Sequence, residues 1–107
     1  MYGNGQEKRD FGYIDDQVKS IILLSNKIKK PKGDIYNITT GKAYSIKNIV
    51  NRLVKISKKK VNFSFTKKRR SFDTKNFIAD KTKLIKTIGS SKITNIDLAL
   101  KKTFESY

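Results

Sequence analysis

Three arginines and two adjacent aspartates are the candidate functional residues of this chain, because guanidinium groups bind anions and paired carboxylates can act in catalysis. Arg9 precedes Asp10 near the start, and Arg69 and Arg70 end a basic run. A guanidinium is a planar fork of donors that matches phosphate oxygens, so these arginines are candidates for binding an anion. By residue type alone, the simpler interpretation is a surface Arg9 that pairs with Asp10, and a basic loop facing solvent.

Asp15 and Asp16 are the adjacent carboxylates, and their position favours a helix cap over a catalytic pair. A carboxylate accepts the free N–H groups of a first helical turn and suits the positive end of the helix dipole. The chain has no histidine, which is the commonest general base, and no cysteine. These absences exclude disulfides, a thiolate nucleophile and a zinc site of ordinary ligands. We therefore predict no catalytic residue and no metal site in this chain.

The apolar pattern predicts the elements that position these residues. The segment from Arg9 to Asp16 is typical of a short extended stretch, a turn and a helix start. On the first helix, the expected buried face carries Val18, Ile21, Ile22, Ser25 and Ile28, at helical spacing. Ser45 should cap the second helix, and Thr94 with Asp97 resembles a capping box for the last. The predicted helices are 16–29, 46–58, 80–89 and one from Thr94, and the predicted strands are 35–38 and 61–65.

The predicted strand at 35–38 indicates that the chain is part of something larger. Its nearly continuous apolar character is typical of a parallel strand that is covered on both faces. The sequence offers no obvious parallel partner for it, so the remaining strands must come from elsewhere.

Composition limits the chain to one domain or part of one, at 107 residues with 36% hydrophobic residues. The net charge of +16 attracts phosphates, nucleic acid or anionic surfaces, although a solvated lysine-rich surface explains it more simply. The alternative function is a small basic nucleic-acid-binding protein, in which Phe63, Phe65 and Phe72 stack on bases.

No apolar run approaches a membrane span of about 18 residues, and no secretory signal is present. We expect a cytoplasmic protein.

Five motifs occur in the order found in one enzyme family. Arg9–Asp16, RDFGYIDD, resembles RDF-x-Y-V-D-D, and IYNITTG resembles Y-N-I-G-x-G, with Thr40 for the first Gly or the turn displaced by one residue. SIKNIV resembles S-I-x-E-L-V, and VNF followed by RSFD resembles a strand and R-x-G-D, with Phe72 where Gly is usual. IADKTKL with the following Ile-Gly resembles A-D-x-S-K-x-x-x-x-L-G. Together they resemble NAD-dependent nucleotide-sugar epimerases and dehydratases, of the extended short-chain dehydrogenase/reductase family.

The resemblance implies an α/β (α+β) fragment over residues 1–107: the C-terminal, substrate-binding part of that fold without its N-terminal Rossmann portion. The segment 35–38 would be one strand of the Rossmann sheet. Arg9 and Arg70 would approach the diphosphate of a nucleotide sugar, and Arg69 could substitute for Arg70.

The hydride chemistry of that family would lie outside this chain. Its six glycines cannot form the GxxGxxG cradle for NAD, and the catalytic Tyr-x-x-x-Lys is absent. We therefore expect no cofactor in this chain, with NAD belonging to the parent enzyme. The expected partners are a nucleotide-diphosphate sugar and a complementary N-terminal chain, with no membrane, and with nucleic acid only as the alternative.

Overall fold

Four helices and a sheet of three short strands make up the part of the chain that the computed structural model describes, residues 3–68, 76–90 and 92–107. None of these helices is long and apolar enough to cross a membrane. In chain order, the elements are β1 (Lys8–Asp10), α1 (Ile14–Lys27), β2 (Ala43–Ser45), α2 (Ile46–Ser57), β3 (Asn76–Phe77), α3 (Thr82–Ile88) and α4 (Ile96–Glu105).

The sheet has β1 at its centre, between β2 and β3. β1 pairs antiparallel with β2, which sets Arg9 opposite Tyr44. It pairs parallel with β3, which sets Arg9 opposite Phe77. The extended stretch predicted before α1 is therefore confirmed, and it is the strand around which the sheet forms.

The hydrophobic core lies between α1 and α3. Leu24, Leu84 and Ile88 are buried there, and Ile28, Tyr36 and Ile38 pack against them. A second contact joins α2 to α4, where Ile49 and Ala99 are buried. Both clusters are small, as the low hydrophobic content of the sequence suggests.

Several predicted helix ends are confirmed because local chemistry determines them. The hydroxyl of Ser45 accepts a hydrogen bond from the backbone N–H of Asn48 at 3.1 Å. Gly89 ends α3 at φ +89°, a conformation that costs glycine little. The cap predicted for α3 was wrong by one residue, since Lys81 is its N-cap, although Asp80 accepts from the N–H of Thr82 at 2.9 Å.

The predicted start of the last helix was wrong by two residues. α4 begins at Ile96, and the side chain of Asn95 accepts from the backbone N–H of Asp97 at 2.9 Å. Asn95 is therefore the cap, and the hydroxyl of Thr94 donates to Asp16 instead. Thr94 is held by another contact, described below.

The first helix departs from prediction at its start and in its buried face. α1 begins at Ile14, and no side chain caps it, so the cap role of Asp15 and Asp16 was wrong. Leu24 is buried, whereas Val18, Ile21 and Ile22 are 44%, 53% and 53% exposed. α1 is apolar on more than one side, and the sequence alone could not show which side α3 covers.

Neither predicted strand is paired in the described residues. At 35–38, Tyr36 and Ile38 pack against the core while Ile35 is 82% exposed, and no backbone–backbone bond joins this stretch to another described segment. A strand requires a ladder partner, so its membership of a larger sheet stays a prediction. The strand at 61–65 was wrong: its alternating residues instead place Phe63 and Phe65 edge to face, with ring centroids 5.8 Å apart.

Candidate functional site

β1 places Arg9 at the middle of the sheet. Residues directly opposite each other on neighbouring strands project to the same face, so Arg9 shares its face with Tyr44. Phe11 directly follows the last residue of β1. Arg9 is partly exposed, and its Nη1 donates to the carbonyl of Lys8 at 2.9 Å. This face therefore combines the guanidinium of Arg9 with the rings of Tyr44 and Phe77, which lie opposite it on the neighbouring strands.

Asp10 projects to the other side of β1, where it holds the turn after segment 35–38. Its carboxylate accepts four hydrogen bonds: from the hydroxyl of Thr39, from the hydroxyl of Thr40 at 2.6 Å, and from the N–H groups of Thr40 and Gly41 at 3.2 and 2.9 Å. Thr40 is buried at 9% exposed. Asp10 thus fixes the position of Arg9 relative to this turn.

Lys81 holds the same turn from a second direction. Its Nζ donates to the carbonyl of Thr40 at 3.2 Å, and its alkyl chain lies over Gly41. Gly41 has φ +73°, and a Cβ there would lie 3.1 Å from Cδ of Lys81. Glycine therefore serves both the turn conformation and the close approach of Lys81.

The bonds to Asp10 also change its acidity. Burial raises the pKa of this carboxyl, but the bonds from Thr39, Thr40 and Gly41 stabilise the carboxylate more, so the net pKa lies below the ordinary 3.8. Asp10 is therefore ionised at neutral pH and acts as an acceptor, which is a positioning role.

A cavity of about 280 Å³ opens beside this region. Phe11 and Tyr44 line it on the strand side, and Asn95 and Ile96 line it at the start of α4. Lys42 adds a cation to its wall. Aromatic faces, a lysine and polar groups are the kinds of group that bind a nucleotide.

Asp16 fixes the α4 side of this cavity. Its two carboxylate oxygens accept from the N–H and the hydroxyl of Thr94, both at 2.7 Å. Asp16 therefore ties α1 to the segment that enters α4, in place of the capping role predicted for it.

Arg52, on α2, makes two further contacts between elements near this cavity. Its Nη1 lies 2.6 Å from the carboxylate of Asp97, and its guanidinium lies over the ring of Tyr44, 5.7 Å from the centroid. These contacts connect α2 and α4 to β2, the strand on which Tyr44 lies opposite Arg9.

The structure describes one of the three candidate arginines. Arg9 lies on the central strand but is not among the residues that line the cavity, whereas Arg69 and Arg70 lie outside the described residues. Sequence reasoning missed the positioning roles of Asp10, Thr39 and Lys81, although the position of Asp10 next to Arg9 was a usable signal. Within the described ranges, no cluster of three or more acidic side chains could hold a metal ion.

The strand–turn–helix formed by β1 and α1 does not fit the pyrophosphate of a dinucleotide. Such a site needs glycines that leave open space at a helix N-terminus. Gly12 is the glycine in this turn, and a Cβ on it would collide with the side-chain amide of Gln17. The space beside Gly12 is therefore filled by the protein itself.

Known proteins similar to this chain are nucleotide-sugar enzymes. The model of the GDP-mannose 4,6 dehydratase family matches residues 1–103. UDP-glucose 4-epimerase of Dictyostelium discoideum is 31% identical over 96 residues, which is 88% of this chain and 28% of that protein.

Solved structures agree with these sequence matches. UDP-glucose 4-epimerase of Thermotoga maritima, with UDP-glucose, superposes with a TM-score of 0.84 at 26% identity. UDP-glucuronic acid 4-epimerase of Bacillus cereus, in complex with UDP-glucuronic acid and NAD, superposes with 0.83 at 28% identity. Each match covers 98% of this chain and 33% of the other.

The fold and the motifs therefore define part of an extended short-chain dehydrogenase/reductase. The chain belongs to the GDP-mannose 4,6 dehydratase family of NAD-dependent nucleotide-sugar epimerases and dehydratases. The predicted fold class is confirmed, and the chain spans about a third of the length of the structures that it matches. These matches favour the nucleotide-sugar interpretation over the nucleic-acid alternative.

Proposed function

We propose that this chain is the substrate-side part of an NAD-dependent nucleotide-sugar epimerase or dehydratase, binding the diphosphate of the sugar nucleotide without performing the hydride chemistry. One observation carries the proposal: the family model matches residues 1–103, while the matched structures are about three times as long as the region that they share with this chain. In the whole enzyme, NAD would transiently oxidise the sugar at C4. The cofactor cradle and the catalytic base would come from a complementary polypeptide portion.

Arg9 is the proposed ligand of the diphosphate. It lies on the central strand opposite Tyr44, whose ring lines the 280 Å³ cavity together with that of Phe11. A guanidinium beside aromatic faces suits a nucleotide, since the fork pairs with phosphate oxygens while a ring packs on the base. Arg70 is proposed as the second diphosphate ligand, with Arg69 as its substitute.

Arg9→Ala should weaken UDP-glucose binding about tenfold or more, because a charge-assisted contact to phosphate is lost. Arg9→Lys should recover only part of the affinity, since an ammonium lacks the planar fork. Isothermal titration calorimetry at physiological ionic strength measures this, with screening that suppresses non-specific attraction to a chain of net charge +16.

Lys19→Ala is the matched control, because it removes the same formal charge from an exposed position on α1. Its affinity for UDP-glucose should stay within about twofold of the wild type. Equal losses in Arg9→Ala and Lys19→Ala would show attraction of any anion to a polycation, and the diphosphate role of Arg9 would be rejected.

A further inference from the structure

Arg52 connects the two walls of the 280 Å³ cavity without lining it. On the strand side, its guanidinium lies over the ring of Tyr44, 5.7 Å from the centroid. On the helix side, its Nη1 lies 2.6 Å from Oδ1 of Asp97, which directly follows the wall residue Ile96. Tyr44 lies on β2 and Asp97 on α4, so one side chain of α2 connects two elements that are distant in the sequence.

The guanidinium of Arg52 is itself held in place. Its Nε donates to the side-chain oxygen of Asn48, one turn earlier on α2, at 2.7 Å. Asp97 is held in turn, because its backbone N–H donates to the side chain of Asn95 at 2.9 Å. A guanidinium is planar and carries its donors in a fixed fork, so these contacts define both its position and its orientation. The start of α4 and the ring of Tyr44 are therefore linked through one planar group.

We propose that Arg52 is a positioning residue for nucleotide binding, because it sets the spacing between the ring of Tyr44 and the start of α4 and so prepares the cavity for a flat base. The inference rests on the proposed function for the class of ligand. A ring whose orientation is already fixed loses less conformational freedom when a base packs on it, so the base binds more tightly. Arg52 acts through Tyr44 and Asp97, since the cavity is lined by the ring and by the neighbours of Asp97.

Arg52→Ala should weaken the binding of UDP-glucose to the full 107-residue chain about tenfold, because neither wall of the cavity is then held. Arg52→Lys should recover part of this loss. An ammonium can pair with Asp97 or lie over Tyr44, but it lacks the fork that connects the two. Isothermal titration calorimetry at physiological ionic strength measures the three affinities.

Lys55→Ala is the matched control for Arg52→Ala. Lys55 is an exposed cation three residues further along α2, and it lines neither wall of the cavity. Its removal changes the net charge by the same amount, so the affinity for UDP-glucose should stay within about twofold of the wild type.

Two further measurements distinguish positioning from a general loss of structure. The side chains of Arg52 and Asp97 are 31% and 59% exposed, so loss of their ion pair should change the midpoint of urea unfolding little. The ring resonances of Tyr44, in a two-dimensional aromatic proton–carbon NMR spectrum, should move in Arg52→Ala and stay in place in Lys55→Ala. A charge over the ring is lost only in the first variant.

Asp97→Ala tests whether the link through α4 is part of the same device. Asp97→Ala alone should weaken UDP-glucose binding, because it releases Arg52 from the helix side of the cavity. The double variant with Arg52→Ala should bind about as weakly as Arg52→Ala alone, since both substitutions break the same link.

Four results would overturn the positioning role: unchanged affinity in Arg52→Ala, equal losses in Arg52→Ala and Lys55→Ala, additive losses in the double variant, or a large fall in the unfolding midpoint of Arg52→Ala. The proposed function is judged separately, by UDP-glucose binding and its dependence on Arg9. Binding that depends on Arg9 and not on Arg52 would reject the positioning role alone. A wild-type chain that does not bind UDP-glucose would reject the proposed function, and the positioning role with it.

Discussion

Asp10→Ala should lower the free energy of unfolding by about 3 kcal/mol, because the variant loses a carboxylate that accepts four hydrogen bonds. Bonds to a charged acceptor are the stronger kind, and the buried hydroxyl of Thr40 would lose its main partner. The turn would no longer be fixed against β1, so the position of Arg9 would loosen too. Urea unfolding followed by circular dichroism measures the change.

Asp34→Ala is the control for this substitution. Asp34 forms an exposed ion pair with Lys83, with 3.8 Å between Oδ1 and Nζ. Exposed pairs contribute little, so the unfolding free energy should change by less than about 1 kcal/mol. Similar losses in Asp10→Ala and Asp34→Ala would contradict the role of Asp10.

The lowered pKa of Asp10 predicts how this contribution depends on pH. The folded state holds the carboxyl below its ordinary value of 3.8, so the unfolded state binds more protons as the pH falls. The stabilisation from ionised Asp10 is therefore complete above the unfolded pKa and is lost as the pH falls through the folded value.

Asp10→Asn provides the measurement, because it cannot ionise. The difference in unfolding free energy between wild type and Asp10→Asn should be constant at neutral pH and shrink as the pH falls from about 5 to below 3.8. A difference that stays constant throughout would show that ionisation of Asp10 does not stabilise the fold.

Leu84→Ala should cost about 3 kcal/mol, as truncation of a fully buried leucine does. Leu84 is 1% exposed and contacts Leu24 and Ile88 at the centre of the larger cluster. In a core this small, little else compensates for the cavity, so the variant should lose most of its folded population. Urea unfolding gives the energy, and loss of peak dispersion in a two-dimensional amide NMR spectrum gives the population.

Leu98→Ala is the matched truncation on the surface. Leu98 is 46% exposed on α4, so its loss should cost less than about 1 kcal/mol. An equal loss in both variants would mean that α1 and α3 do not form the main core.

Local features of the fold could be predicted from sequence, and long-range features could not. Ser45 and Gly89 mark helix ends because the chemistry that ends a helix lies within a few residues of the end. β2 was missed because it is three residues long and forms only by pairing with a distant strand. The buried side of α1 was wrong because both its apolar stripes suit a core, and only the position of α3 selects one.

In the candidate site too, a local motif could be recognised from the sequence, whereas long-range contacts could not. The motif identified Arg9, and the fold sets it on a central strand. The role of Asp10 depends on a turn about thirty residues later, and Lys81, just before α3, contacts the same turn from about forty residues further along the chain. The sequence shows these residue types but not their convergence on Thr40.

The central position of β1 also constrains how the chain is made. Lys8 pairs with Ser45 on one side and with Asn76 on the other, so β1 waits for partners from the middle and the later part of the chain. Contacts between such distant residues slow folding. During translation, the segment that carries Arg9 therefore leaves the ribosome long before its sheet can close. Until then, β1 is unpaired, and the apolar residues of α1 that follow it are exposed.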